Sequence, residues 1–255
     1  MLRKFLKWSA LALILGYLGC ATALYLAQGS LLYHPEHTHA TAAQTDYALR
    51  RGDVTLRGWV VNPGQPRALI YFGGNGDAVQ GMREDYGRWA PDRTVYLVAY
   101  RGYGASDGQP SQEALFGDAL AIYDEVRGRH AAVAVIGRSL GSGVATYLAS
   151  QRPLEKLVLV TPFDSIARIA QARFPLFPVD LMMRDRYDSW RYAPAVHCPL
   201  LVLVAQLDRV VSAASTARLL PLFKPPPRVI EIHGSGHGNI VGDPAYGQAV
   251  SAFLR

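Results

Sequence analysis

From Val54 onward the chain alternates short apolar runs with longer stretches whose apolar residues recur every three or four positions. Val54 to Val61 alternates apolar and polar residues, the pattern of a strand buried on one face. Ala68 to Phe72 and Val95 to Ala99 are continuous apolar runs, as in central strands covered on both faces. Ser111 is a good N-cap, with Ala114, Leu115, Ala119, Ile122 and Val126 at helical spacing behind it. Val133 to Ile136 predicts another strand, followed by a helix to about Ser150. Leu157–Val160, Leu200–Val204 and Val229–Ile232 predict three more, and Ala245–Leu254 a closing helix. Strands separated by helical lengths imply an α/β fold with a mostly parallel central sheet and helices on both faces. From Pro162 to Val196 no strand is predicted. Phe163, Phe174, Phe177, Leu181, Met182 and Met183 alternate there with Arg168, Arg173, Arg184 and Arg186. That mixture reads as a small cap at about 162–196; the other reading is one long crossover helix with a solvated basic face.

The N-terminus differs in kind. After Arg3, Lys4 and Lys7, no charged residue occurs from Trp8 to Ala27. Some twenty helical residues rise about 30 Å, the thickness of a bilayer's hydrocarbon core. Trp8 and Tyr25 stand near the two ends, where amphipathic rings favour the interface. Residues 1–28 are therefore expected to be an uncleaved signal anchor, and 29–255 one domain carrying the cap. Ala21-Thr22-Ala23 as a signal-peptidase site and Leu18-Gly19-Cys20 as a lipoprotein-type site are the alternatives. In each case the basic end stays cytoplasmic and the domain faces outward.

Charge and cysteine content change little. Without Arg3, Lys4 and Lys7, the 26 basic residues fall to 23 against 20 acidic, so the domain is only mildly basic. No basic run with interleaved aromatics occurs, and no nucleic-acid partner is expected. With Cys20 in the membrane segment, Cys198 has no partner in the domain and implies no disulfide framework.

The apolar run Val133–Ile136 breaks at Gly137-Arg138-Ser139-Leu140-Gly141 and passes into a helix. Strand, sharp turn and helix around Gly-x-Ser-x-Gly are what a nucleophile elbow needs, with Ser139 as the nucleophile. A serine hydroxyl attacks only when a base takes its proton and a carboxylate orients that base. His237 alone among seven histidines follows the last strand in a Gly-rich loop, so it is the expected base. Asp208, directly after the Leu200–Val204 run, is the expected acid. Asp164 is second, and Asp243 reads as a helix-start residue before Pro244. The oxyanion of an acyl-transfer intermediate needs two backbone donors. One is expected from Leu140 and the other from the loop Gly73-Gly74-Asn75-Gly76, through Asn75 or its neighbour Gly74. That loop lacks the Gly-Lys-Ser/Thr of a phosphate cradle. His34, His37 and His39 lack helical spacing and a carboxylate partner at fixed spacing, so neither metal nor cofactor is expected.

The block Tyr100-Arg101-Gly102-Tyr103-Gly104-Ala105-Ser106-Asp107-Gly108-Gln109-Pro110-Ser111 resembles a signature of membrane-anchored α/β-hydrolase-domain proteins. That branch includes acyl-protein thioesterases and lysophospholipase-like enzymes. Leu31-Leu32-Tyr33-His34-Pro35 and Cys198-Pro199 match its layout too. The resemblance implies an α/β-hydrolase fold with Ser139, Asp208 and His237 as triad. It departs at Gly73, where the family usually has histidine, and at Ser212, where it commonly has proline. The expected function is cleavage of small acyl esters or thioesters through an acyl-enzyme on Ser139. The alternatives are an aminopeptidase or amidase, with Asp180, Asp185 or Asp188 binding an amine, and a catalytically dead membrane-tethered binding protein.

Overall fold

A computed structural model describes residues 1–255. The elements, in chain order, begin with α1 (Leu2–Leu32), a single helix of 31 residues. Then come β1 (Tyr47–Arg51), β2 (Val54–Val61), β3 (Arg67–Phe72), α2 (Arg83–Trp89), β4 (Arg93–Val98) and α3 (Gln112–Arg127). The second half contains β5 (Ala132–Arg138), α4 (Leu140–Gln151), β6 (Leu157–Val160), α5 (Ile166–Arg173), α6 (Val179–Met182) and α7 (Ser189–Tyr192). It closes with β7 (Leu200–Ala205), α8 (Ala213–Leu219), β8 (Arg228–Ile232) and α9 (Pro244–Leu254).

The strands form one eight-stranded sheet in the order β1-β2-β4-β3-β5-β6-β7-β8. β2 runs antiparallel to both β1 and β4, and every other pair is parallel. The continuous apolar runs became the central strands, and every residue of β4 and β6 is buried. Phe72 pairs with Gly137, and Arg138 with Val160, so β3, β5 and β6 end level with one another. Parallel strands deliver their following loops to one edge of the sheet, where sites in such folds assemble.

Three elements escaped the hydrophobic pattern, one of them α8, which buries only Ser215, Thr216 and Leu219. β1 is an edge strand in which only Tyr47 is fully buried, and α2 buries only Tyr86, so neither shows a readable apolar stripe. The apolar helix runs past Gln28 to Leu32, because Gly29-Ser30 costs too little to stop it before Tyr33 turns extended. Between Pro162 and Val196 lie the three short helices α5, α6 and α7, not one long crossover helix. Cys198 is partly buried, and burial pushes its thiol up to about 11.

Candidate active site

Ser139 occupies the junction of β5 and α4 with φ 49° and ψ −118°, a left-handed conformation that a non-glycine residue adopts only under constraint. The constraint is close packing. A Cβ on Gly141 would lie 2.1 Å from the Phe72 carbonyl oxygen, and one on Gly137 would lie 2.3 Å from the Gly141 oxygen. Strand and helix therefore approach too closely for any side chain at either position. The Ser139 N–H donates to the Val160 oxygen at 2.9 Å, which pins the turn to the neighbouring strand.

Two other loops of the same edge meet this serine. The Ser139 hydroxyl donates to His237 Nε2 at 2.8 Å, and His237 Nδ1 donates to Asp208 Oδ2 at 2.8 Å. The carboxylate fixes the tautomer, since only a protonated Nδ1 can bond it, and Nε2 is left as an acceptor. Asp208 Oδ1 accepts from the amides of Val210 and Val211, each at 2.8 Å. Burial disfavours the charged carboxyl, but His237 and the two amides outweigh burial and hold Asp208 below the usual carboxylate range. The second-choice acid, Asp164, lies apart from His237. It is fully buried and accepts from Ser215, Arg168 and Arg218 at 2.5, 2.9 and 2.7 Å. Asp243 caps α9 through the Ala245 amide.

The Gly73–Gly76 loop faces Ser139 from the end of β3. The Gly74 N–H is committed within the loop, donating to Asp77 Oδ2 at 2.6 Å, which removes Gly74 from the expected donors. The amides of Leu140 and Asn75 donate to no acceptor within the protein. The Asn75 side chain is a clamp that sequence reasoning did not foresee. Its Oδ1 accepts from the His34 N–H at 3.0 Å and the Tyr103 hydroxyl at 2.8 Å, and its Nδ2 donates to the Leu32 carbonyl at the end of α1. The Tyr100 hydroxyl donates to the Gly73 oxygen at 2.9 Å. The two tyrosines of the Tyr-Arg-Gly-Tyr-Gly block thus hold the 73–75 loop. Gly102 and Gly104, at φ 73° and 55°, permit the turn that aims them.

Arg138, between the elbow's glycine and serine, was also missed. Its guanidinium pairs with Asp77 Oδ1 and donates to the His237 carbonyl at 3.1 Å, so one side chain joins the donor loop to the base loop. Burial works against the charge, and Asp77 more than restores it, so the cation is held well above its usual range.

Above Ser139 lies a cavity of about 480 Å³, the size of small-molecule sites. Leu31, Leu32, Ile166, Ile169, Phe177 and Met182 are among its walls; Arg173 and Arg209 also line it, and no carboxylate does. Asp185 instead accepts from Tyr33 and the Gln112 amide, Asp188 from Ser165 and Arg186, and Asp180 from Arg186.

A mostly parallel sheet of this order, with a Gly-x-Ser-x-Gly turn at the end of its fifth strand, is the α/β-hydrolase fold. No family model matches the chain. It is 30% identical over 236 residues to an uncharacterized protein of Mycobacterium tuberculosis, MT2364, covering 87% of this chain and 84% of that one. It is 32% identical over 137 residues to the lysophosphatidylserine lipase ABHD12 of Danio rerio, covering 46% of this chain and 36% of the lipase. Among solved structures, Est1E of Butyrivibrio proteoclasticus with bound ferulic acid matches with a TM-score of 0.66 at 14% identity, over 82% of this chain and 97% of that one. A monoacylglycerol lipase of Paleococcus ferrophilus matches with a TM-score of 0.61 at 19% identity, over 78% and 98%.

Proposed function

We propose that the protein is a membrane-anchored serine hydrolase that cleaves ester or thioester bonds of acyl or lipid-like substrates. The observation that carries this reading is the hydrogen-bonded line Ser139–His237–Asp208 at the foot of an apolar cavity. In the proposed reaction His237 Nε2 takes the hydroxyl proton as Ser139 Oγ attacks the carbonyl carbon. Asp208 stabilises the imidazolium, and the Leu140 and Asn75 amides receive the oxyanion. The imidazolium then protonates the leaving alcohol or thiol, and water, activated by the same imidazole, hydrolyses the acyl-enzyme. An amine-binding site would need an acid in the cavity, and Asp180, Asp185 and Asp188 are all engaged elsewhere.

The membrane part of the reading rests on α1, which is apolar over a bilayer's thickness and exposed along its span. Residues 1–28 are assigned to the anchor, with Arg3, Lys4 and Lys7 on the cytoplasmic side, and 29–255 to an outward-facing domain with its cap at about 162–196. The lipase names of one relative and one structural neighbour agree with an acyl substrate. A fluorophosphonate probe is expected to label the full chain in detergent and to leave Ser139→Ala unlabelled. Equal labelling of both would refute the assignment.

A further inference from the structure

The cavity has a wall that no motif announced. Leu24, Tyr25, Gln28, Leu31 and Leu32, all on α1, line it opposite α5 and α6. The seam between helix and cap is fastened at several heights. Near the sheet, Tyr33 shares hydrogen bonds with Asp185 and Tyr187 at 2.9 and 2.8 Å. One turn and more below, Gln28 Oε1 accepts from the Arg184 amide at 2.8 Å, and the Arg184 guanidinium lies over the Tyr25 ring. Farther down, the Tyr17 hydroxyl donates to the Leu176 carbonyl at 3.0 Å and its ring stacks on Phe177 at 5.2 Å.

This register sets a depth. Tyr17 lies eight residues before Tyr25, about 12 Å along the helix axis. If Tyr25 marks the outer interface, the cap tip that touches Tyr17 sits within the hydrocarbon of the outer leaflet. Leu176 and Leu181 are 81% and 87% exposed at the tip, while Arg184 and Asp185 stand at the level of Tyr25 to Tyr33. Arg173, the cation of the lower wall, has a stem long enough to reach toward the headgroups.

We propose that α1 is a wall of the substrate site as well as an anchor, and that the site opens sideways into the outer leaflet. Its substrate is then a bilayer lipid, whose acyl chain passes between α1 and the α5–α6 face to Ser139 without crossing water. This rests on the serine-hydrolase reading above. It accounts for an apolar cavity bounded by an apolar helix that is exposed over most of its length.

The test uses the full chain in dioleoylphosphatidylcholine vesicles and a fluorophosphonate with a sixteen-carbon tail ending in a diazirine. Ser139 Oγ bonds to phosphorus, fluoride leaves, and the hydroxyl proton passes to His237. Irradiation then marks what the tail touches, read by peptide mass spectrometry. The expected crosslinks fall within 24–32 and 169–183. Failure to attach at Ser139 would refute the hydrolase reading itself. Attachment with crosslinks confined to other segments would overturn this proposal and leave that reading standing. A second measurement addresses the mouth. Leu176→Asp combined with Leu181→Asp is expected to lower hydrolysis of vesicle-embedded monopalmitoylglycerol, relative to a soluble butyrate ester, by at least ~10-fold. An unchanged ratio in protein that still labels at Ser139 overturns the sideways opening.

Discussion

Asn75→Ala tests whether the donor loop is held by its own side chain. The substitution leaves the backbone N–H in place and removes three hydrogen bonds, to the His34 amide, the Tyr103 hydroxyl and the Leu32 carbonyl. At about 1 kcal/mol each, they contribute on the order of 3 kcal/mol to keeping the loop in one conformation. If that energy holds only the loop, the competent conformation becomes scarcer by roughly 10²-fold, near the effect of losing one oxyanion donor outright. In the proposed mechanism the amide acts on charge that develops in the transition state, so the loss is expected in kcat with KM changed less than about threefold. Tyr103→Phe removes one of the three bonds and the hydroxyl's own bond from the His34 amide, and is expected to lower kcat by about five- to thirtyfold. The assay is steady-state hydrolysis of a p-nitrophenyl butyrate in detergent, alongside thermal unfolding. Three kcal/mol spread over the whole fold would shift Tm by about 6–12 °C, whereas a local effect leaves Tm nearly unchanged. A kcat within twofold of wild type for Asn75→Ala, with a normal melt, would refute the clamp.

Asp208→Asn keeps the shape but withdraws the charge that orients His237, and kcat is expected to fall by about 10³–10⁴-fold with the fold intact. Gly141→Ala sets a methyl against the Phe72 and Gly73 carbonyls at 2.1 and 2.6 Å, so thermal stability is expected to drop sharply, opposite in sign to a Gly-to-Ala change in an open helix. Burial would raise the Asp164 carboxyl, but Arg218, Ser215 and Arg168 outweigh burial and hold it below its unfolded value. Its contribution is therefore present above about pH 4 and lost as pH falls through the lower folded value. Asp164→Asn is expected to flatten the acid limb of a guanidinium-midpoint profile between about pH 5 and 2, and an unchanged slope would contradict the pairing.

Much of the candidate site was readable because its constraints are local. Gly137 announces a close approach of β5 and α4 within a few residues of chain, although the matching demand at Gly141 comes from the Phe72 and Gly73 carbonyls at the end of β3. Asp208 follows the buried strand β7, and His237 lies in the Gly-rich loop after the last strand. What could not be read depends on side chains meeting across the fold. Arg138 looked like filler between a glycine and a serine until Asp77 and the His237 carbonyl came to its two sides. The Tyr-Arg-Gly-Tyr-Gly block was visible as a signature, yet its physical reason is the reach of two hydroxyls to the 73–75 loop. Gly74 failed as a donor for a similar reason, since only the folded loop brings Asp77 Oδ2 to its amide. The edge strand β1 and helix α2 bury too little to leave a period in the sequence.

The two parts of the site differ in what holds them. Ser139 and the 73–76 loop hang from the ends of β5 and β3, central parallel strands whose side chains are almost wholly buried, whereas the His237 loop follows β8, an edge strand that buries only Ile232. The cavity above depends on a few polar contacts along the α1–cap seam and on short helices with little buried surface. Elements of that kind open at far lower free energy than a sheet core. Asn75 is the point where the two regimes touch, because its side chain grips the last turn of α1 while it lines the same cavity as Ser139. A helix displaced from the cap would widen the cavity and, through Leu32 and His34, loosen the donor loop. On the proposed reading, seating of α1 and stabilisation of an oxyanion are coupled through one amide side chain, so α1 has a lever on the chemistry as well as on access to the cavity.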